Sequence, residues 1–211
     1  MRYFCVIIIV FINFQFLSQE NKSNYTFNMD IGIPISLGNE PFKDIMQGLV
    51  STNFYGQYRL PINLNIAFGG RYSMFTINEF AINEENNGAI HMGALFCQVG
   101  YEKLYTNRFA LDLGMKFGYS MNYASTDLNK ISGVNPISYN AFIFEPTLGL
   151  ILYSDEQNSY RFNIAYCIQN YSFEPEIIGL LSNLDYLDSN LKNNTNYFVI
   201  GFGYTYFFKK K

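Results

Sequence analysis

The sequence has few of the residues that cover a water-soluble domain, and few of those that build a catalytic or metal site. Charged residues make up 15% of the 211 positions, against about a quarter in an ordinary soluble domain. The net charge of -3 excludes the broad basic surface of a nucleic-acid-binding protein, so we expect no nucleic-acid partner. One histidine, three cysteines and the absence of a phosphate loop or catalytic triad favour a protein with no cofactor, no metal and no enzymatic activity.

Long apolar runs are also scarce. The one at the N-terminus follows Met1 and Arg2 and is interrupted by Asn13 and Gln15, so it is too short and too broken for a typical transmembrane helix. We interpret residues 1–18 as a secretory signal peptide, with a membrane-anchoring helix as the alternative. Residues 19–24 would form a short lead, 25–208 the folded domain and 209–211 a basic tail.

Aromatic residues, in contrast, are abundant, with 18 Tyr and 21 Phe. The last stretch, 197–208, places large apolar or aromatic side chains at every second position and mostly small ones between them. Such alternation is typical of a strand with two different faces. A strand of this kind at the end of the chain needs a partner for its edge, and pairing with the first strand would close a barrel.

The same alternation recurs along the chain and predicts about eight strands. The connections between them alternate between long and short, as in antiparallel barrels that cross a membrane. Each segment has at least the roughly 9–11 residues that a tilted strand needs to cross the hydrocarbon layer. We therefore predict an all-β, antiparallel up-and-down transmembrane β-barrel, with a bulge at Pro146. The predicted strands are residues 25–37, 51–60, 64–74, 89–101, 109–122, 139–153, 160–169 and 197–208.

The two faces of these strands differ in a way that favours lipid outside. The apolar face carries no charge, whereas the other face holds Gly, Ala, Asn and Ser with isolated charges of both signs. A water-facing surface would be dense in Lys, Glu and Thr, so a soluble ligand-binding barrel with an apolar inside is the less favoured alternative. Cys97 and Cys167 fall on opposite faces and are expected to stay unpaired. We predict a packed interior charge network formed by Asp30, Arg59, Arg71, Asp112, Lys116, Glu145 and Arg161.

The last strand, Gly201-Phe202-Gly203-Tyr204-Thr205-Tyr206-Phe207-Phe208, together with the signal peptide and the strand rhythm, resembles small bacterial outer-membrane β-barrel proteins of the OmpA/OmpX type. The resemblance implies a location in the cell outer membrane of a Gram-negative bacterium, contact with outer-membrane lipid, and no periplasmic domain. It also implies that the barrel-assembly machinery recognises the final strand through Tyr204, Tyr206 and Phe208. His91 lacks the serine two positions later that lipid A deacylase-type barrels carry, so we expect a rim histidine.

Two predicted loops carry apolar residues at helical spacing. Ile45 and Leu49 belong to the first, and Leu180 and Leu184 belong to the last. These stripes either pack on each other or on the membrane rim, or they form a docking surface for a protein or lipid partner.

The pattern as a whole predicts a structural or interaction protein that acts through its extracellular loops. The alternatives are a component of an envelope secretion or assembly machine, or a narrow channel for small solutes.

Overall fold

The computed structural model describes residues 24–134, 136–180 and 186–208. In these residues eight antiparallel strands pair in chain order, and β1 pairs with β8 to close the barrel. The predicted barrel is thereby confirmed, while the predicted signal peptide and basic tail lie outside the described residues. The strands are β1 (Tyr25–Gly38), β2 (Met46–Arg59), β3 (Leu64–Ile77), β4 (Gly88–Leu104), β5 (Phe109–Thr126), β6 (Ile137–Tyr153), β7 (Asn158–Ser172) and β8 (Asn194–Phe207).

Short helices occupy the connections at the end of the barrel opposite the chain termini, which we call the loop end. They are α1 (Glu40–Ile45), α2 (Asp127–Ile131) and α3 (Asp188–Leu191), with 3₁₀ turns at Glu79–Ala81 and Pro175–Ile178. Asn39 starts α1, because its side chain accepts a hydrogen bond from the Phe42 amide at 3.0 Å. Within the described residues, no helix combines the length and the apolar character needed to span a membrane.

Side chains alternate between the two faces of the wall as the sequence predicts. The outward positions form a belt of exposed aliphatic and aromatic residues, of which Phe68 and Phe202 are among the most exposed. The predicted interior charges are all buried. Cys97 is exposed on the outer face and Cys167 is buried, which confirms that they lie on different faces and are unpaired.

Strand β2 begins at Met46, five residues earlier than the sequence pattern predicts. The pairing register with β3 shifts between Gly48 and Val50, which is the signature of a bulge. Met46 and Ser51 consequently both face inward although their numbers differ in parity. The extra residue hides the two-residue period, so the first part of this strand resembles a loop.

At two places in the barrel, adjacent strands are not hydrogen-bonded along their full length near the loop end. β1 and β2 pair from Tyr25 opposite Tyr58 only as far as Gly32 opposite Ser51. β6 and β7 pair from Tyr153 opposite Ser159 as far as Ile143 opposite Gln169, with an interruption at Glu145 and Pro146.

Each of these strand pairs contains a proline, Pro34 or Pro146, and proline cannot donate a ladder bond. The predicted bulge at Pro146 is wrong. Phe144 opposite Ile168 and Thr147 opposite Ala165 keep one register, so the proline costs pairing without inserting a residue.

Candidate functional site

The barrel interior is the most elaborate part of the molecule, and its centre is a cluster of buried charges. Lys116 on β5 faces Glu145 on β6 in the strand register, and the Lys116 Nζ atom lies 3.0 Å from Glu145 Oε1. The Arg71 guanidinium donates to the other carboxylate oxygen of Glu145. All three side chains are almost completely buried, so each cation is compensated where water cannot screen it.

A second group of charges continues this cluster across the lumen. Arg161 lies 3.6 Å from Asp112 and donates a hydrogen bond to the hydroxyl of Tyr55. Asp30 is approached by the side-chain amide of Asn53 at 3.5 Å. The central layer therefore contains three acidic and three basic side chains and carries no net charge. Its members are Asp30, Asp112, Glu145, Arg71, Lys116 and Arg161.

Arg59, the seventh predicted member, is not part of this layer. It lies at the end of the barrel that holds the chain termini, which we call the terminus end, and its NH2 atom is 2.5 Å from Glu102 Oε2. The Tyr153 hydroxyl donates to the same carboxylate, and the Phe207 ring lies 4.7 Å from the Arg59 guanidinium carbon. Glu102 lies just beyond the predicted strand 89–101, although its inward parity continues that of Gln98 on β4.

The loop end of the interior is apolar, which differs from the inward face of Gly, Ala, Asn and Ser with isolated charges that the sequence predicts. The Phe42 ring of α1 lies 4.9 Å from Phe75 and 5.6 Å from Phe173, measured between ring centroids. Inward residues of the strands complete the cluster, including Ile90, Met92 and Tyr197. The sequence pattern missed this layer because part of it comes from loops that fold back into the barrel mouth.

Hydrogen bonds hold the last long connection in this closed position. The Ile178 carbonyl accepts from Asn86 at 2.8 Å and from Thr126 at 2.9 Å, and the Ile177 carbonyl accepts from Asn129 at 2.9 Å. These bonds satisfy backbone groups that the inserted turn would otherwise bury unpaired.

A second contact joins the last connection to the first. The Tyr186 hydroxyl donates to Asp44 at 3.2 Å. Burial and the Asp44 charge raise the pKa of Tyr186 to about 12, so this phenol keeps its proton at physiological pH.

The predicted docking residues do not form one surface. Ile45 and Leu180 are buried in the apolar layer because their loops fold inward, so these two residues do not fit the docking alternative. Leu49 is exposed on the outer face of β2, and Leu184 lies outside the described residues. Other apolar side chains are exposed at the tips of the loops. We call them the loop-tip residues: Phe80 (100% exposed), Ile131 (82%), Val134 (58%) and Leu187 (69%).

The remaining sequence candidates lie on the outer face. Nδ1 of His91 is 2.7 Å from the hydroxyl of Tyr72, and the two rings are stacked near the loop end. Tyr204 and Phe208 are exposed near the terminus end, and the Tyr206 and Phe208 rings are 5.5 Å apart. This geometry is compatible with recognition of the final strand, which stays a prediction.

The space left between the central charges is small. A cavity of about 20 Å³ lies among them, which suffices for one water molecule. Asn53 and Gln98 line it, and within the described residues Asn53 Oδ1 and Gln98 Oε1 have no hydrogen-bond partner, so they are the atoms such a water would satisfy. In the described part of the chain, no three His, Cys, Asp or Glu residues are grouped as metal ligands.

Comparisons with known proteins connect this architecture to a structural class. No protein-family model matches the chain, and no curated protein matches its sequence. Among solved structures, the Neisserial surface protein A aligns with a TM-score of 0.59 at 11% identity, covering 90% of this chain and all of the other. The outer membrane protein OprG from Pseudomonas aeruginosa aligns with a TM-score of 0.52 at 12% identity, covering 91% of this chain and 99% of the other. The chain therefore has the fold of the small β-barrels of bacterial outer membranes.

Proposed function

We propose that this protein is a sealed β-barrel of the bacterial outer membrane with a structural or interaction role, in which the loops at the mouth contact other molecules. The observation that carries the proposal is the filled interior. The neutral charge layer lies between an apolar layer at the loop end and a second small apolar cluster at the terminus end, formed by Ala110, Ile151, Tyr153 and Phe207.

The outer face supports the membrane location. Apolar side chains remain exposed around the belt, which water would disfavour and lipid hydrocarbon accommodates. An Arg or Lys at mid-membrane on such a face costs about 2–4 kcal/mol. The outward positions of the strands avoid both except at Lys103, which lies near the terminus end of β4.

The filled interior argues against the narrow channel. A pore needs a continuous path, whereas the central cavity has room for about one water. Planar-bilayer recordings of the refolded protein test this point, with a general porin in the same bilayer as the positive control. We expect no stepwise conductance from the barrel. Steps whose size rises with salt concentration would contradict a sealed interior.

The proposed interaction role rests on the loop-tip residues. A fully exposed phenylalanine and three further exposed aliphatic residues on three different connections are candidates for burial against a protein partner. This partner would be an envelope protein, in agreement with the alternative of a secretion or assembly component. We assign no catalytic step to the barrel.

Light crosslinking of outer membranes followed by extraction in mild detergent tests the interaction role. We expect a discrete species larger than the barrel, which the double variant Phe80→Ser, Leu187→Ser loses. Ile62→Ser is the matched control, because Ile62 is 60% exposed in a turn at the opposite end. Absence of the larger species in the wild type, or its loss in the Ile62 variant alone, would contradict a partner at the loop tips.

A further inference from the structure

The seam between β6 and β7 differs from a regular ladder at its loop end. Strand β6 continues from Ile143 to Ile137 and stays paired with β5, but its pairing with β7 ends at Ile143 opposite Gln169. One residue further along, the Phe142 amide donates to the side-chain oxygen of Asn170 at 2.7 Å instead of to a β7 carbonyl. Above this bond the two strands are joined by side chains, with the Tyr139 and Tyr171 hydroxyls 3.3 Å apart.

A groove lies on the outer surface at this seam. Its volume is about 350 Å³, at the lower end of the roughly 300–1,000 Å³ typical of small-molecule sites. Gly118 and the buried Ile143 belong to the inward parity and form its floor. The lining consists of Phe117, Gly118, Phe142, Ile143, Phe144, Ile168 and Asn170.

The position of the groove determines what fills it. It opens onto the apolar belt, so the hydrocarbon that covers Phe117 and Phe142 on the outer face also covers the groove. Its walls are aromatic and aliphatic, which suits an alkyl chain and disfavours water. Asn170 is the one polar side chain in the lining, and an amide whose oxygen accepts from Phe142 still has two N–H donors.

We propose that this groove is a binding site for one acyl chain of a membrane lipid, with the Asn170 amide donating to an oxygen of the same lipid. The site rests on the proposed membrane location of the barrel. It differs from general contact with the bilayer in that one chain is retained at the β6–β7 seam while lipids elsewhere on the belt exchange.

Photocrosslinking in vesicles tests the proposal directly. The refolded protein is placed in phosphatidylethanolamine vesicles in which a fraction of the lipid carries a diazirine in one acyl chain, and crosslinked residues are mapped by mass spectrometry. We expect crosslinks at residues 142–144 and 168–170 to exceed those at outward residues of β3, such as Phe68, several-fold.

Two matched pairs of variants separate the groove from the belt. Ile168→Trp fills the groove and should remove the excess, whereas Ile164→Trp, four residues earlier on the same outward face of β7, should retain it. Asn170→Leu should reduce the excess of crosslinks at the groove about fivefold, which is the factor that corresponds to a hydrogen bond of about 1 kcal/mol. Asn140→Leu on β6 is the control and should leave the excess of crosslinks unchanged. Heat-modifiable gel mobility verifies that each variant is folded.

The outcomes distinguish the groove from the membrane location. Equal crosslinking around the whole belt, or an excess that survives Ile168→Trp in folded protein, would overturn the acyl-chain site and leave the membrane barrel intact. No crosslinking anywhere on the belt would overturn the membrane location itself.

Discussion

Replacing Glu145 with glutamine tests the central charge layer, because one carboxylate there compensates two buried cations. Glutamine has nearly the same shape, so the substitution removes charge without creating a large cavity. Arg71 and Lys116 would then remain buried without their anion, and removing one partner of a buried pair costs about 3–5 kcal/mol. We expect the free energy of unfolding to fall by that amount.

The matched control is Lys130→Gln. The pair of Lys130 with Asp127 has a similar length, 2.9 Å, but its side chains are 55% and 48% exposed. Solvent screens such a pair, so we expect a loss below about 1 kcal/mol. The contrast between the two variants isolates burial as the cause.

Equilibrium unfolding in urea, with the protein in detergent micelles, measures both values. The chain has no tryptophan, so far-UV circular dichroism and heat-modifiable gel mobility are the suitable signals. The triple variant Arg71→Met, Lys116→Met, Glu145→Leu should recover most of the loss, since apolar residues can replace a buried ionic cluster at little cost. Equal losses for Glu145→Gln and Lys130→Gln would refute the reasoning.

Three further predictions follow from other parts of the structure. Gly201→Ala should impair closure of the β1–β8 seam, because the added Cβ would lie 2.4 Å from the Ile31 carbonyl oxygen. Gly56→Ala should fold normally, since nothing lies within 4 Å of a Cβ at that position. Refolding yield measures both variants, and equal yields would count against this seam geometry. Phe68→Lys should destabilise the folded barrel by about 2–4 kcal/mol in vesicles, and Phe80→Lys at a loop tip should destabilise it by much less. Urea unfolding measures both variants, and similar midpoints would mean that Phe68 does not face lipid. Phe173→Ala should lower the free energy of unfolding by about 3–5 kcal/mol and loosen the apolar layer at the loop end. Unchanged protease resistance of the connection between β7 and β8 would show that this ring does not anchor it.

Regular strands explain why the barrel could be predicted from the sequence. Strand β5 alternates without a bulge over its whole length, so its faces follow directly from residue parity. The wall positions of Asp112, Lys116 and Glu145 could be derived in the same way. The pairing of Glu145 with Arg71 and of Asp112 with Arg161 could not, since pairing across the lumen depends on strand stagger, which parity does not contain.

The start of β2 and the packing of the loop-end apolar residues differ from the sequence prediction for local physical reasons. In β2 a bulge between Gly48 and Val50 interrupts the period, so Leu49 has the spacing of a helical stripe with Ile45. At the loop end, apolar residues at helical spacing pack against the barrel interior. Only the packing of Ile45 and Leu180 against strand residues decides this, and it is a tertiary effect.

The most direct test of a lipid-embedded, sealed barrel uses two of its three native cysteines, Cys97 and Cys167. Cys97 lies outside in the apolar belt opposite Phe68 and Phe117, and Cys167 lies inside. The measurement is the reaction of each thiol with a charged, water-soluble methanethiosulfonate reagent in folded protein inserted in vesicles, with Cys5 replaced by serine and Ser132→Cys as an exposed control.

We expect the Ser132→Cys thiol to react at once, and Cys97 and Cys167 to react only after unfolding. Rapid reaction of Cys167 in the folded protein would show that water fills the interior. Rapid reaction of Cys97 would show that the outer face lies in water, and the membrane barrel itself would be contradicted.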